Sequence, residues 1–233
     1  MTTRRGGVSR APYDELNLGY ATKDDRAAVA ENERLVASAL AVQTAAIRWV
    51  YQVHGVDVHH AESLPVNTPL GATTTAGDAI VSHTPSLVCG IKIADCMPVL
   101  FAARNGAAIG AAHAGWRGMA ASVLEATVAA MGISPDQIVA WLGPAIGASS
   151  YEVGSEVRDA FVADDHRTKA AFTETRPGHW LCDLYALATQ RLRICGVREI
   201  HGGDFDTRID GRFYSYRRDP NTGRFASLIW RAS

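Results

Sequence analysis

No stretch of this chain is long and apolar enough to cross a bilayer as a helix, which sets aside an integral helical membrane protein. An excess of charge of one sign is also missing. The 23 Lys and Arg residues balance 24 Asp and Glu residues for a net charge of −1, so no strong field draws the chain to nucleic acid or to an anionic membrane. Cysteine is scarce: Cys89, Cys96, Cys182 and Cys195 form neither a CxxC pair nor a dense framework. Reduced thiols in a cytoplasmic protein are therefore expected rather than a disulfide scaffold. The opening MTTRRGGVSR is basic but no apolar run follows it, so a secretory signal is not expected. Repeats, low-complexity tracts and linkers are absent too, and one domain over residues 1–233 is the expectation.

What is present is a chain of short apolar runs broken by glycine-rich turns. Asp24–Ala41 carries Val29, Leu35, Val36 and Leu40 at helical spacing and predicts an amphipathic helix. Ile47–Val53, Asp78–Ser82, Ser86–Ile93, Val99–Ala103, Ala107–Ala112 and Gln137–Leu142 read as strands. Cys89 belongs to their core. Met119–Met131 predicts a helix closed by Gly132, Val153–Ala163 a short helix, and Leu184–Cys195 a helix capped by Asp183 and ended by Gly196. Val197–His201, Gly211–Arg217 and Phe225–Arg231 are the last predicted strands, and Leu64–Gly77 is a Pro, Thr and Gly-rich loop. Direct strand-to-strand links mixed with helical crossovers argue for an α+β (mixed α/β) sandwich rather than a doubly wound sheet.

Three residues able to bind a soft or borderline metal stand at ends of predicted strands. His54 follows Gln52-Val53 and precedes Gly55. Cys96 lies in Ala94-Asp95-Cys96-Met97-Pro98, which interrupts an apolar run. His113 opens a strand-to-helix junction with Gly115, Trp116, Arg117 and Gly118. A His2Cys set leaves an open coordination position on zinc, the pattern of catalytic rather than structural sites. Each member alone has a plainer reading. His113 could bond a backbone carbonyl in a buried turn, and Cys96 could be a small core hydrophobe. An aspartate beside the thiol at a break between buried strands is costly unless paired or used. Arg117 offers a planar cationic fork for phosphate or carboxylate. Arg4 and Arg5 just before the Gly6–Tyr20 loop, and Asn17 within it, are either ligand-facing or an exposed basic tail with a turn asparagine. His59 and His60 read as solvated strand-end residues, and Gly143–Gly147 as a turn or a ligand loop.

The strings QVHG (Gln52–Gly55), ADCMPVLF (Ala94–Phe101), AAHAGWRG (Ala111–Gly118), LGPAIG (Leu142–Gly147) and FYSYRRDPNTGRFASLIW (Phe213–Trp230) together resemble the YfiH/laccase-domain family. The GGVS…NLG pattern at Gly6–Gly19 matches as well, so the resemblance runs in order along nearly the whole chain. It implies a single-domain α/β/β/α sandwich. It also implies a metal, usually zinc, held by His54, Cys96 and His113, with copper the other metal such a set can hold. The activity implied is phosphorolysis of adenosine, inosine and methylthioadenosine, with hydrolytic deamination of adenosine. Purine nucleosides and phosphate are then the partners, with neither nucleic acid nor membrane, in a monomer or weak homodimer. One departure stands out: Gly203-Asp204-Phe205-Asp206-Thr207 lacks the cysteine that relatives often carry before the FYSYRR-like segment.

Under that reading Cys96, His113 and Asp95 form the catalytic group. Asp95 serves either as general acid or base, or as an orienter of His113 or of the turn backbone. Arg5, Asn17, Gln52, Arg117, Tyr216 and Arg217 are the substrate-binding candidates, Tyr216 and Arg217 on the resemblance and on side-chain type. Three other readings compete. One is a copper-dependent polyphenol oxidase, disfavoured because eight histidines, few of them clustered, are poor material for several metals. Another is a metal-free hydrolase with Cys96 as nucleophile and His113 as base. The last is a non-catalytic or editing factor in cell-wall precursor assembly.

Overall fold

The computed structural model describes residues 1–66 and 73–231. The tip of the predicted Pro, Thr and Gly-rich loop, residues 67–72, falls outside them. Among the described residues the strands, in chain order, begin with β1 (Ile47–Arg48), β2 (Val58–His60), β3 (Ala79–Ser82), β4 (Val88–Ile93) and β5 (Met97–Ala103). They continue with β6 (Ile109–Ala114), β7 (Ile138–Leu142), β8 (Glu152–Gly154), β9 (Phe172–Arg176), β10 (His179–Cys182), β11 (Glu199–Gly202) and β12 (Phe225–Trp230). The helices are α1 (Arg26–Ala39), α2 (Trp116–Ala120), α3 (Val123–Ala130), α4 (Ser155–Val162) and α5 (Leu184–Ile194). None is long and apolar enough to cross a membrane.

Alternation along the strands sorts the core into layers. In β6, Ile109 and Ala111 point to one cluster while Ala112 and Ala114 point to another. The large sheet, ordered β11-β7-β5-β6-β3-β2, therefore buries both faces. One face packs under α3 and α5 through Val123, Leu124, Leu187 and Leu192. The other packs against the small sheet β1-β4-β12 through Ile80, Ile91, Ile93 and Phe225. The outer face of that small sheet lies under α1, where Val36 and Ala37 meet Trp49, Val88 and Leu228. The order helix, sheet, sheet, helix is the expected α/β/β/α sandwich. Parallel pairs (β2 with β3, β7 with β11) beside antiparallel ones (β3 with β6, β5 with β6 and with β7) confirm the mixed class. A separate small sheet, β8-β10-β9, sits beside the core.

Several predicted elements differ for identifiable reasons. The helix expected over Met119–Met131 is two helices, with Ser122 in the left-handed region at φ 78° between them. Arg191 fills the break, donating to the freed Ala120 carbonyl and to the Ser122 hydroxyl. The strand expected over Ile47–Val53 keeps its ladder only at Ile47–Arg48. Beyond it the Gln52 amide takes over, bonding both backbone groups of Lys92 at 2.9 and 3.0 Å. The segment Gly211–Arg217 is not a strand. Phe213 and Tyr214 are both fully buried, but the segment pairs with no neighbouring strand. Arg218 satisfies the Phe213, Thr207 and Arg208 carbonyls in place of a ladder. The β9-β10 hairpin gave no signal because FTETR is exposed after Phe172 and shows no apolar alternation. The start of the predicted Val153–Ala163 helix belongs to β8.

Candidate metal centre

The large sheet brings the three candidate ligands to one of its ends. His113 is the penultimate residue of β6, in register with Pro98. Cys96 closes the three-residue break between β4 and β5. His54 stands after the irregular segment that follows β1, in the left-handed region at φ 61°. Their ligand atoms all lie within 4.8 Å of one another. The two imidazoles meet edge to face, with ring centroids 4.8 Å apart. Burial is graded, His113 inside, Cys96 partly covered and His54 exposed, so the cluster opens outward on the His54 side.

A residue not singled out in the sequence organises this cluster. Asp78, fully buried, accepts the Nδ1–H of His113 at 2.8 Å and the backbone N–H of His54 at 2.9 Å. Its other oxygen accepts from Gly55 at 2.6 Å and from Val53 at 3.2 Å. One carboxylate thus fixes the turn carrying one histidine and the tautomer of the other. With Nδ1–H held by Asp78, Nε2 of His113 is the nitrogen left to ligate a metal once it gives up its proton, the arrangement common to metal-ligating histidines. Burial alone would raise the Asp78 carboxyl, but the His113 and Gly55 donors hold it below the usual carboxylate range. Burial would lower His113, yet the facing Cys96 side chain and the Asp78 hydrogen bond overcome it and push the imidazole up to about 9. His54 is lowered, first by the partial desolvation of its ring against the cluster and then by the charge of His113.

The residues fit a bound metal. A soft thiolate and two borderline imidazoles form a donor set suited to zinc or copper. Gly115 leaves the space they need, since a Cβ there would lie 2.8 Å from His54 Nδ1 and 3.1 Å from Cys96 Sγ. Replacing Gly115 with alanine is expected to push both ligands aside and weaken metal affinity on the order of tenfold, as lost support around a ligand does. Chelator competition against the wild type measures this, and equal affinity would show that the glycine is not needed there.

Asp95 is placed differently from the histidine partner it might have been. It adopts φ 88°, and its two oxygens accept the Thr207 hydroxyl at 2.7 Å and the Arg217 N–H at 2.6 Å. Its carbonyl accepts from Ile146 in the Gly143–Gly147 loop. It therefore ties the thiol-bearing turn to that loop and to the 207–217 segment, while the partner of His113 is Asp78.

Around the triad stand cations without a carboxylate partner among the described residues. Arg117 is exposed and stacks over the Trp116 ring at 4.4 Å. Arg217 lies over Tyr151 at 5.0 Å and donates to the Glu152 carbonyl. Arg224, which the sequence did not single out, is half-buried and within electrostatic reach of Cys96, Asp95 and His54. Tyr216 is 57% exposed near Arg224. No hydrogen bond joins Arg5, Asn17 or Gln52 to the three ligands. Arg5 is exposed, Gln52 is used on Lys92, and Asn17 is fully engaged by Thr22, Asp24, Gly19 and Arg224. Arg4 pairs with Asp14. His59 bonds the Ala76 carbonyl and His60 stacks on His83. All four cysteines are free, with Cys89 buried as expected.

Residues 1–232 match the family model described as multi-copper polyphenol oxidoreductase laccase. A Pseudomonas aeruginosa protein named purine nucleoside phosphorylase is 49% identical over 232 residues, covering 99% of this chain and 91% of that protein. An Escherichia coli protein named purine nucleoside phosphorylase YfiH is 46% identical, covering 98% and 91%. The crystal structure of a Neisseria meningitidis protein superposes with a TM-score of 0.93 at 42% identity, covering 100% of this chain and 93% of that one.

Proposed function

This chain belongs to the multi-copper polyphenol oxidoreductase laccase family, and on that premise we propose that it is a zinc-dependent purine nucleoside phosphorylase that also deaminates adenosine. The observation carrying the proposal is the convergence of His54, Cys96 and His113 on one point beside unpaired arginines. The names of the Pseudomonas aeruginosa and Escherichia coli relatives support the phosphorylase part. Adenosine, inosine and methylthioadenosine are the proposed substrates. Multicopper oxidation needs several metals, whereas the described residues hold a single group of three candidate ligands.

His54, Cys96 and His113 would hold the metal. When bound, zinc supplies a positive charge and lowers the pKa of water to roughly 7, the chemistry a hydrolytic deamination needs. The chain's own residues supply the rest. Phosphorolysis requires phosphate and the ribose carbon to be held together and the departing base to be stabilised. Arg117 and Arg217 bring positive charge to the mouth, each braced flat on an aromatic ring, which holds a guanidinium fork in place for an anion. Tyr216 offers an exposed ring for stacking a purine. Asp95 keeps the turn and the 207–217 segment in register, so Tyr216 and Arg217 stay beside the thiol. The proposed test is release of hypoxanthine from inosine by purified, metal-analysed protein with and without phosphate. Release that depends on both phosphate and metal is expected, and none in their joint presence would overturn the assignment.

One observation favours a second reading. Cys96 stands beside His113 and helps to raise its imidazole, the Cys-His pairing a metal-free cysteine hydrolase uses. Activity that survives chelation but not thiol alkylation would support it.

A further inference from the structure

Arg224 is held on every side yet has no carboxylate partner among the described residues. The register of β12 on β4 pairs Phe225 with Ile93, so Arg224 comes opposite Ala94, one residue before Asp95 and two before Cys96. Its backbone N–H is fixed by the Asn17 side chain at 2.8 Å. Its stem lies against Gly19, where a Cβ would come within 2.8 Å of Arg224 Cγ. Nη1 donates to the Thr222 and Gly223 carbonyls at 3.2 and 2.9 Å. No carboxylate of the described residues lies within salt-bridge distance. The carboxylate that acts on it, Asp95, has both oxygens engaged by Thr207 and Arg217. A half-buried guanidinium with unused donors and no carboxylate paired to it is unfavourable unless an anion joins it.

We propose that Arg224 is the principal cation of an oxyanion subsite beside the metal ligands, and that its anion is the inorganic phosphate consumed in phosphorolysis. The proposal rests on the phosphorylase reading and names the residue that makes it phosphate-dependent. Arg224 holds phosphate so that one of its oxygens forms a bond to the ribose C1′ as the C1′–N9 bond breaks. The electron pair of that bond leaves with the purine, and the proton of the hydrogen phosphate ends on the base. Ribose 1-phosphate and free purine are the products. Arg117, exposed on Trp116, is the outer cation; Arg224, held by Asn17 and Gly19, is the inner one. The asparagine of the N-terminal loop thus acts on the site through Arg224.

The experiment uses the metal-loaded full chain and two readouts. In steady-state phosphorolysis of inosine, Arg224→Gln is expected to raise KM for phosphate at least about tenfold, the loss of one charge-assisted contact. Its effect should exceed that of Arg117→Gln, with metal content and the KM for inosine little changed and with Arg224→Lys partly restoring phosphate use. In a thermal melt, inorganic phosphate should raise the Tm of the wild type, and this rise should vanish in Arg224→Gln. Gly19→Ala, which crowds the arginine stem, is expected to move both readouts the same way and serves if the glutamine variant folds poorly. An unchanged phosphate KM and an unchanged phosphate-dependent Tm rise would overturn the assignment of Arg224. A wild type that binds phosphate through Arg224 in the melt but releases no base would instead overturn the phosphorylase reading.

Discussion

Asp78→Ala is expected to empty the metal centre while leaving most of the fold in place. The carboxylate receives four donors, and three of them, the N–H groups of His54 and Gly55 and the Nδ1–H of His113, lie within 2.9 Å. Removing it strands them in a buried place, and breaking such a buried, hydrogen-bonded charge costs about 3–5 kcal/mol. The effect on metal should be larger in kind than the effect on stability, because two of the three ligands lose their orientation together. His54 depends on Asp78 for its left-handed turn, and His113 for the tautomer that leaves Nε2 free. Loss of such support typically lowers metal affinity by roughly 10–100-fold for one ligand, and here it acts on two. Asp78→Asn separates the roles. It keeps the volume but offers one acceptor oxygen where two are used, so it should fold with a modestly lower Tm and still lose most of its metal. Circular dichroism for the fold and chelator competition for the metal read the two effects independently. An asparagine variant with wild-type metal affinity would show that the ligands are held by their own backbone.

The contrast between the three ligands and Asp78 shows what a linear reading can reach. His54, Cys96 and His113 were legible because each breaks a local pattern: an imidazole or thiol beside Gly, Asp or Pro at the end of an apolar run. Asp78 breaks none. An aspartate before a buried strand is an ordinary boundary residue, and its partners come from 23 to 35 positions away in the chain. Arg224 hid for a similar reason, since an arginine after Asn221-Thr222-Gly223 looks like the solvated end of a turn. Its place follows only from the pairing of β12 with β4. The layers were legible because alternation is a property of each strand alone. The break at Ser122 was not, because the residue that stabilises it, Arg191, sits on another helix. Asn17 was legible as important but not as what it is. Its amide faces Arg224 and its own loop, an outcome set by tertiary packing.

His113→Ala is expected to reduce nucleoside turnover by more than a thousandfold, about 4 kcal/mol of barrier, with the sandwich still folded. The side chain is buried, but its partners are the Asp78 carboxylate and the Cys96 and His54 side chains of the site, so the loss should be chemical before it is structural. Cys96→Ser then separates the two catalytic readings. If the thiolate is a metal ligand, serine offers a harder, weaker donor, metal affinity falls, and added zinc restores part of the activity. If the thiolate is a nucleophile, the serine variant stays inactive whatever metal is added, and chelation leaves the wild type untouched. The pH dependence of stability gives a check that needs no substrate. After chelation, the raised His113 means that the folded protein holds a proton that the unfolded chain releases near 6.5. Its stabilisation is present below 6.5 and is lost as pH rises through about 9. A bound metal takes the place of that proton, so its binding should strengthen over the same window in which the chelated protein weakens. Opposite slopes for the two forms between pH 6.5 and 9, both flattened in Cys96→Ser, are the expected result. Parallel slopes would mean that the metal does not compete for the imidazole, and the centre would have to be sought elsewhere.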